Sequence, residues 1–166
     1  RILYLMQDMR EFEPGEKVSA VVSACDSINY ILEPEDLQAV FFCVSESLKE
    51  GGIFIFDINT PYKYEVLMAD NTIAENRDEG SFIWDNYYDA DEKINEYDLT
   101  LFIKEQSEDD IYKKFEETHF QRCYEISELK ELLEQSGLVF DAVYDAYTDD
   151  QVKCDSEKVT VIAHKA

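Results

Sequence analysis

The chain has 166 residues, 45% of them hydrophobic and 32% charged, enough for one domain with a sizeable core and too apolar for a disordered segment. Lys+Arg number 15 against 38 Asp+Glu, a net charge of −23, which argues against nucleic acid or an anionic membrane surface as partner because both are bound through Lys and Arg. No apolar run approaches the roughly 18–20 residues of a membrane span, and no basic-then-apolar signal stands at the start of the sequence. Cys25, Cys43, Cys123 and Cys154 are widely spaced with no CxxC pair, so a reduced, cytoplasmic setting is expected rather than a disulfide or zinc framework.

Arg1–Met6 reads as an apolar strand without initiator Met or cap, and implies a truncated or partly presented domain. It ends in Gln7-Asp8-Met9-Arg10, and Pro14-Gly15 marks a turn. Val18–Cys25 is mostly apolar without strict alternation, the pattern of a strand covered on both faces in a parallel sheet. From Pro34 to Lys49 the apolar residues Leu37, Val40, Phe41, Val44 and Leu48 fall at offsets 0, 3, 4, 7 and 11, one face of a helix. Pro34, Glu35 and Asp36 suit its first turn and Gly51-Gly52 its end. Ile53–Asp57 follows as a second buried strand, so an α/β fold with a right-handed crossover is expected.

Thr60-Pro61 reads as the start of a short helix carrying Tyr64, Leu67 and Met68 on one side. After Gly80, the segments Ser81–Asp89, Lys93–Lys104 and Ile111–Arg122 are aromatic and β-branched, separated by polar turns at 90–92 and 106–110. They predict an antiparallel three-stranded meander. Ser127 is the expected cap of a last helix with Leu129, Leu132 and Leu133, stopped by Gly137. Leu138–Tyr147 and Lys158–Ala163 are the closing strands.

Ligands of open α/β sheets bind beyond the carboxyl ends of the strands. Three such ends turn polar at once: Gln7–Arg10, Cys25–Tyr30 and Asp57–Thr60. Taken singly, each acid is most simply a cap or turn residue; three on one edge point to a pocket. There is no GxGxxG, GxxxxGK[ST] or HExxH motif, no nucleophile triad and no metal-ligand cluster.

These segments, with Leu48–Thr60, the later Phe115–Tyr124 and the terminal 138–165 pair, resemble the second half of a class I S-adenosylmethionine-dependent methyltransferase. The nearest branch is the bacterial small-molecule type with an inserted β-meander. The resemblance implies a Rossmann-like sheet in which residues 1–166 form the C-terminal portion of one methyltransferase domain. Residues 80–124 would be the insertion, serving as lid, substrate surface or dimerisation element. The family's Gly-rich loop and second-strand acid have no counterpart in the sequence.

Carried over residue by residue, the resemblance makes Asp8 the acceptor for the adenine amino group and Met9 the backbone donor to an adenine ring nitrogen, with Gln7 beside them. Cys25, through its backbone, and Asp26 would run along the methionine part of S-adenosylmethionine, while Asn29, Tyr30 and Asn59 would border the methyl-transfer site. In-line attack on the sulfonium methyl needs positioning more than acid–base help, and a base only when the acceptor must lose a proton. His119, in the meander, is the candidate base; the alternative is a sheet-face histidine bonded to its neighbours. His164 is expected to be structural or exposed. The meander's aromatic residues read mainly as core and sheet pairing, with a cation-binding cage as a lesser alternative. The acidic stretches Glu105–Asp110 and Asp149-Asp150 read as solvated loops.

Two functions follow. One is methyl transfer to a small-molecule acceptor, with a homodimer through the meander as an associated expectation. The other is a non-catalytic interaction module that keeps this half of the fold. In the family's sheet, the 2–6 strand joins the 18–25 strand only through two earlier strands, so these residues alone are expected to bind the cofactor poorly or to borrow strands.

Overall fold

The computed structural model describes residues 2–105 and 111–166. Val18–Ser23 (β1), the helix Pro34–Ser47 (α1) and Leu48–Asn59 (β2) form the strand–helix–strand unit, with β1 and β2 parallel. Leu138–Asp145 (numbered β7 in chain order) and Lys158–Lys165 (β8) pair antiparallel, and β8 pairs antiparallel with β2, giving the order β1-β2-β8-β7. α1 and the second helix, Ile126–Gln135 (α2), share one face of this sheet. Leu37, Val40, Phe41 and Val44 of α1 and Leu129 and Leu133 of α2 are buried against Phe54, Phe56 and Ile58 of β2 and Val159, Val161 and Ala163 of β8. Phe54 and Phe56 lie 4.7 Å apart, with Phe41 tilted over both. α2 stops because Gly137 takes a φ of +78°, a conformation that strains an L side chain.

The second sheet is the meander. It holds four strands, Thr72–Arg77 (β3), Gly80–Asp89 (β4), Ile94–Lys104 (β5) and Tyr112–Arg122 (β6), all antiparallel and in sequence order. The three expected strands are there, and β3 precedes them. All six β3 residues are exposed, so no apolar alternation marks them; the ladder to β4 makes the strand.

Several other expectations are corrected. Residues 2–6 form no strand, and Ile2, Leu3, Tyr4, Leu5 and Met6 are exposed, because no neighbouring strand offers them a ladder. β1 is an edge strand with Val22 66% exposed, rather than a strand covered on both faces. α1 ends at Ser47, and Gly51-Gly52 lies in a bulge of β2, where the pairing jumps from Leu48 to Ile53. Ser127 is inside α2; the cap position is Glu125, with no side-chain cap. After Pro61-Tyr62, residues Lys63–Met68 make a π-helical turn closed by Ala69 N–H to Tyr64 O at 2.8 Å; Tyr64 and Met68 are buried, but Leu67 faces solvent. The 106–110 turn and its acidic residues lie outside the described residues. Among the described residues, no helix is long and apolar enough to cross a membrane.

Candidate functional site

Because β1 and β2 are parallel, their carboxyl ends open on the same edge of the sheet. Past β1 the chain places Cys25 and Asp26 in left-handed conformations, φ 62° and 50°. Each such residue costs about 1–2 kcal/mol, so the turn needs ties. The Asp26 N–H donates to Asp57 Oδ1 at 3.1 Å, and the Asp26 carboxylate accepts from Lys158 Nζ at 2.8 Å and Gln121 Nε2 at 2.7 Å. Lys158 reaches Asp57 Oδ2 at 3.1 Å, and the Tyr147 hydroxyl donates to the same oxygen at 2.5 Å. Burial works to raise the Asp26 pKa, but the bonds from Lys158 and Gln121 hold the carboxyl below its ordinary value. Burial likewise works against the Lys158 ammonium, and the two carboxylates overcome it and raise its pKa.

Asn29 is fully buried and acts as a strut. Its Nδ2 donates to Arg122 O at 2.9 Å and its Oδ1 accepts the Asn59 N–H at 3.0 Å, so both ends of the amide are engaged by backbone. Asn59 Nδ2 donates to the Tyr64 hydroxyl at 3.1 Å, and that hydroxyl donates to Gln121 Oε1 at 3.0 Å. Gln121 thus ties the tip of β1 to the tip of β2. The two tips share one hydrogen-bonded network.

Tyr30, 41% exposed, stands at the mouth of the same edge. Its hydroxyl lies 2.6 Å from the Tyr97 hydroxyl and 3.2 Å from His119 Nδ1. His119 Nε2 lies 3.2 Å from Glu117 Oε2. In the tautomer that carries its hydrogen on Nε2, the ring donates to Glu117 and Nδ1 accepts from Tyr30. Tyr97 and His119 are paired across β5 and β6 with stacked rings 4.7 Å apart, and Trp84 packs on the other side of Tyr97 at 4.6 Å. Burial pushes the Tyr97 hydroxyl pKa up.

Asp8 lies apart from that network. Its carboxylate accepts from Arg10 N–H at 2.9 Å, Nε at 2.9 Å and Nη2 at 2.8 Å, and these bonds lower its pKa to about 2. Arg10 extends to Asp36 at 2.9 Å. Gln7 closes a local loop through reciprocal bonds with the Glu13 backbone, and Met9 packs against the core. A cleft of about 530 Å³ lined by Asp8, Met9, Tyr30, Ile31, Leu32 and Glu33 joins this segment to the Tyr30 end of the rim. His164 bonds to Asp141 at 2.8 Å on the far strands, away from the edge. Among the described residues, no three His, Cys, Asp or Glu side chains converge as a metal site, and all four cysteines are free thiols.

No protein-family model matches the chain. A Bacillus subtilis (strain 168) protein named "Putative methyltransferase YqeM" is 32% identical over 166 residues, covering 99% of this chain and 66% of its own length. A crystal structure of a S-adenosylmethionine-dependent methyltransferase from Clostridium acetobutylicum ATCC 824 matches 98% of this chain and 64% of that one, with TM-score 0.89 and 28% identity. The chain belongs to the class I S-adenosylmethionine-dependent methyltransferases. Streptomyces venezuelae DesVI, 19% identical with TM-score 0.74 over 96% of this chain and 64% of its own, shares the fold. The chain therefore spans just under two thirds of the length of the relatives it matches.

A carboxylate offers about four lone-pair positions and Arg10 occupies three, leaving Asp8 one open acceptor beside the cleft that Ile31 and Leu32 also line. Lys158, Tyr147, Tyr97 and Gln121 are members of the site that sequence reasoning missed. Lys158 follows an acidic loop and meets Asp26 across 132 residues of chain, so no local pattern reports it. Asp57 was legible as a strand-end acid; its two clients were not.

Proposed function

We propose that this domain transfers the methyl group of S-adenosylmethionine to a small-molecule acceptor by in-line displacement, as a cytoplasmic enzyme. In this reading residues 1–166 are a portion of one methyltransferase domain, and the meander, the four strands from Thr72 to Arg122, is its acceptor-facing lid. S-adenosylmethionine supplies an activated methyl group on a sulfonium. Asp8 and Met9 hold the adenine, and the strained Cys25–Asp26 turn presents its backbone to the methionine side. The observation that carries the reading is the contact between the β1 tip and the meander: Tyr30, beyond β1, is joined to His119 and Tyr97. An acceptor proton released at the Tyr30 oxygen can pass to His119 Nδ1, and Glu117 stabilises the imidazolium that forms. The net charge of −23 and the small-molecule methyltransferases among structures of this fold, such as the sugar N-methyltransferase KedS8 from Streptoalloteichus sp ATCC 53650, support a small acceptor over a nucleic acid.

The test is titration of S-adenosylmethionine into the full-length protein, followed by a donor-consumption screen against small-molecule pools. Asp8→Ala should weaken cofactor affinity. His119→Gln should leave it unchanged while lowering kcat by about 100-fold for an acceptor that must lose a proton. A full-length protein that neither binds nor consumes the donor refutes the reading.

A further inference from the structure

Lys63, Lys153 and Lys158 line one cleft of about 490 Å³, together with Asp145, Tyr147 and Glu157, in a chain with only 15 basic residues. The three lysines differ in what they hold. Lys158 is neutralised by Asp26 and Asp57. Lys153 is exposed and solvated. Lys63 is half-buried at the start of the π-helical turn, and its ammonium makes one hydrogen bond, to Asn59 Oδ1 at 3.0 Å. An ammonium carries three donors. Among the described residues no carboxylate lies within ion-pair distance of Lys63: Asp26 is held by Lys158 and Gln121, Asp57 by Lys158, Tyr147 and the Asp26 N–H, and Glu157, though near enough to act on Lys63 through its charge, forms no ion pair with it. Burial accordingly lowers the Lys63 pKa, against the pull of Asp26, Glu157 and Asp57 and with the push of Lys158. Single π-helical turns recur at functional sites, and this one sets Lys63 beside the Asn59–Gln121–Asp26 network.

We infer that Lys63 binds a carboxylate in this cleft, beside the tip of β2. One incompletely compensated cation among several acids matches one negative charge; a phosphate dianion would meet Asp145, Asp155 and Glu157 with too few partners. The carboxylate comes either from the amino-acid end of the cofactor or from the acceptor. Naming either source rests on the methyltransferase reading; the binding of a carboxylate by Lys63 does not.

The experiment uses the full-length protein, its Lys63→Met and Lys63→Gln variants, and Lys153→Met as a control. S-adenosylhomocysteine, 5′-methylthioadenosine (the nucleoside without a carboxylate) and benzoate are titrated, the last with and without S-adenosylhomocysteine. If the cofactor is the source, wild type prefers S-adenosylhomocysteine to methylthioadenosine by about tenfold or more, and the Lys63 variants lose that preference. If the acceptor is the source, S-adenosylhomocysteine affinity is unchanged in the variants and benzoate affinity falls by about tenfold. Lys153→Met leaves both unchanged. Lys63→Gln, which keeps a donor for Asn59, carries the test should Lys63→Met not fold. Failure of wild type to bind S-adenosylhomocysteine sinks the methyltransferase reading and the cofactor source, and the benzoate arm still reads out Lys63. Affinities in both Lys63 variants within twofold of wild type, for every probe, overturn the inference.

Discussion

Two carboxylates and one ammonium meet where β1, β2 and β8 converge. Removing the ammonium leaves Asp57, 2% exposed, and Asp26 with no cation between them. Breaking a buried pair this way costs about 3–5 kcal/mol, so Lys158→Met should lose about that much in urea unfolding at pH 7. The pH dependence follows from the signs. The lowered Asp26 pKa gives stability that is present above its unfolded value of about 3.9 and lost as pH falls through the folded one. The raised Lys158 pKa gives stability that is present below about 10.4 and lost as pH rises through its folded value. The stability gap between wild type and variant should therefore be flat from neutral pH to about pH 10 and shrink as pH falls, starting above about pH 4 because the variant's unpaired, part-buried carboxylates take up a proton there. A gap that persists unchanged to pH 3 would remove the ion pair as its cause. At this scale the sequence showed the acids, because each ends an apolar run, and hid the lysine, because its partners are distant in the chain.

Elements were legible where burial is one-sided and illegible where pairing alone makes the structure. α1, α2, β2 and β8 each set a periodic row of apolar residues in the core, so their periodicity announced them. β3 has no apolar face and exists through its ladder and the Thr72–Asp85 bond at 2.6 Å. Residues 2–6 show the converse: apolar character without a neighbour makes no strand. Gly80 tests how the meander is built. A Cβ there would collide with the backbone carbonyl of Phe102, on the β5 strand that Gly80 faces. Backbone cannot yield as a side-chain tip does, so Gly80→Ala should cost about 1–3 kcal/mol. Hydrogen exchange should quicken at β4 and β5 amides and stay unchanged at β2 and β8. Equal quickening in both sheets would mean that the meander is not a separate unit of stability.

The two sheets meet through a polar seam. The largest buried apolar cluster draws on both helices and the first sheet, with Tyr124 just beyond β6 as the meander's nearest contribution. The hydrogen bonds that cross between the sheets include Asn29 to Arg122 O, Tyr124 to Ile31 O at 2.6 Å, Tyr30 to Tyr97 and His119, and Gln121 to Asp26, Asn59 and Tyr64. Such a network fixes one docking geometry when complete and is costly when broken, because each buried partner left unpaired loses about 1–3 kcal/mol. Nothing in β6 distinguishes Gln121 from the other polar residues of an alternating strand, so the seam was not legible in the sequence. Gln121→Leu is the decisive change. It leaves the buried Tyr64 O–H without its acceptor, takes the second contact from the Asn59 amide and releases one oxygen of Asp26. We expect the variant to keep both sheets but to uncouple them, so that thermal unfolding followed by Trp84 fluorescence, in the meander, precedes loss of the helical signal. Coincident transitions with wild-type midpoints would show that the docking rests on something other than this glutamine.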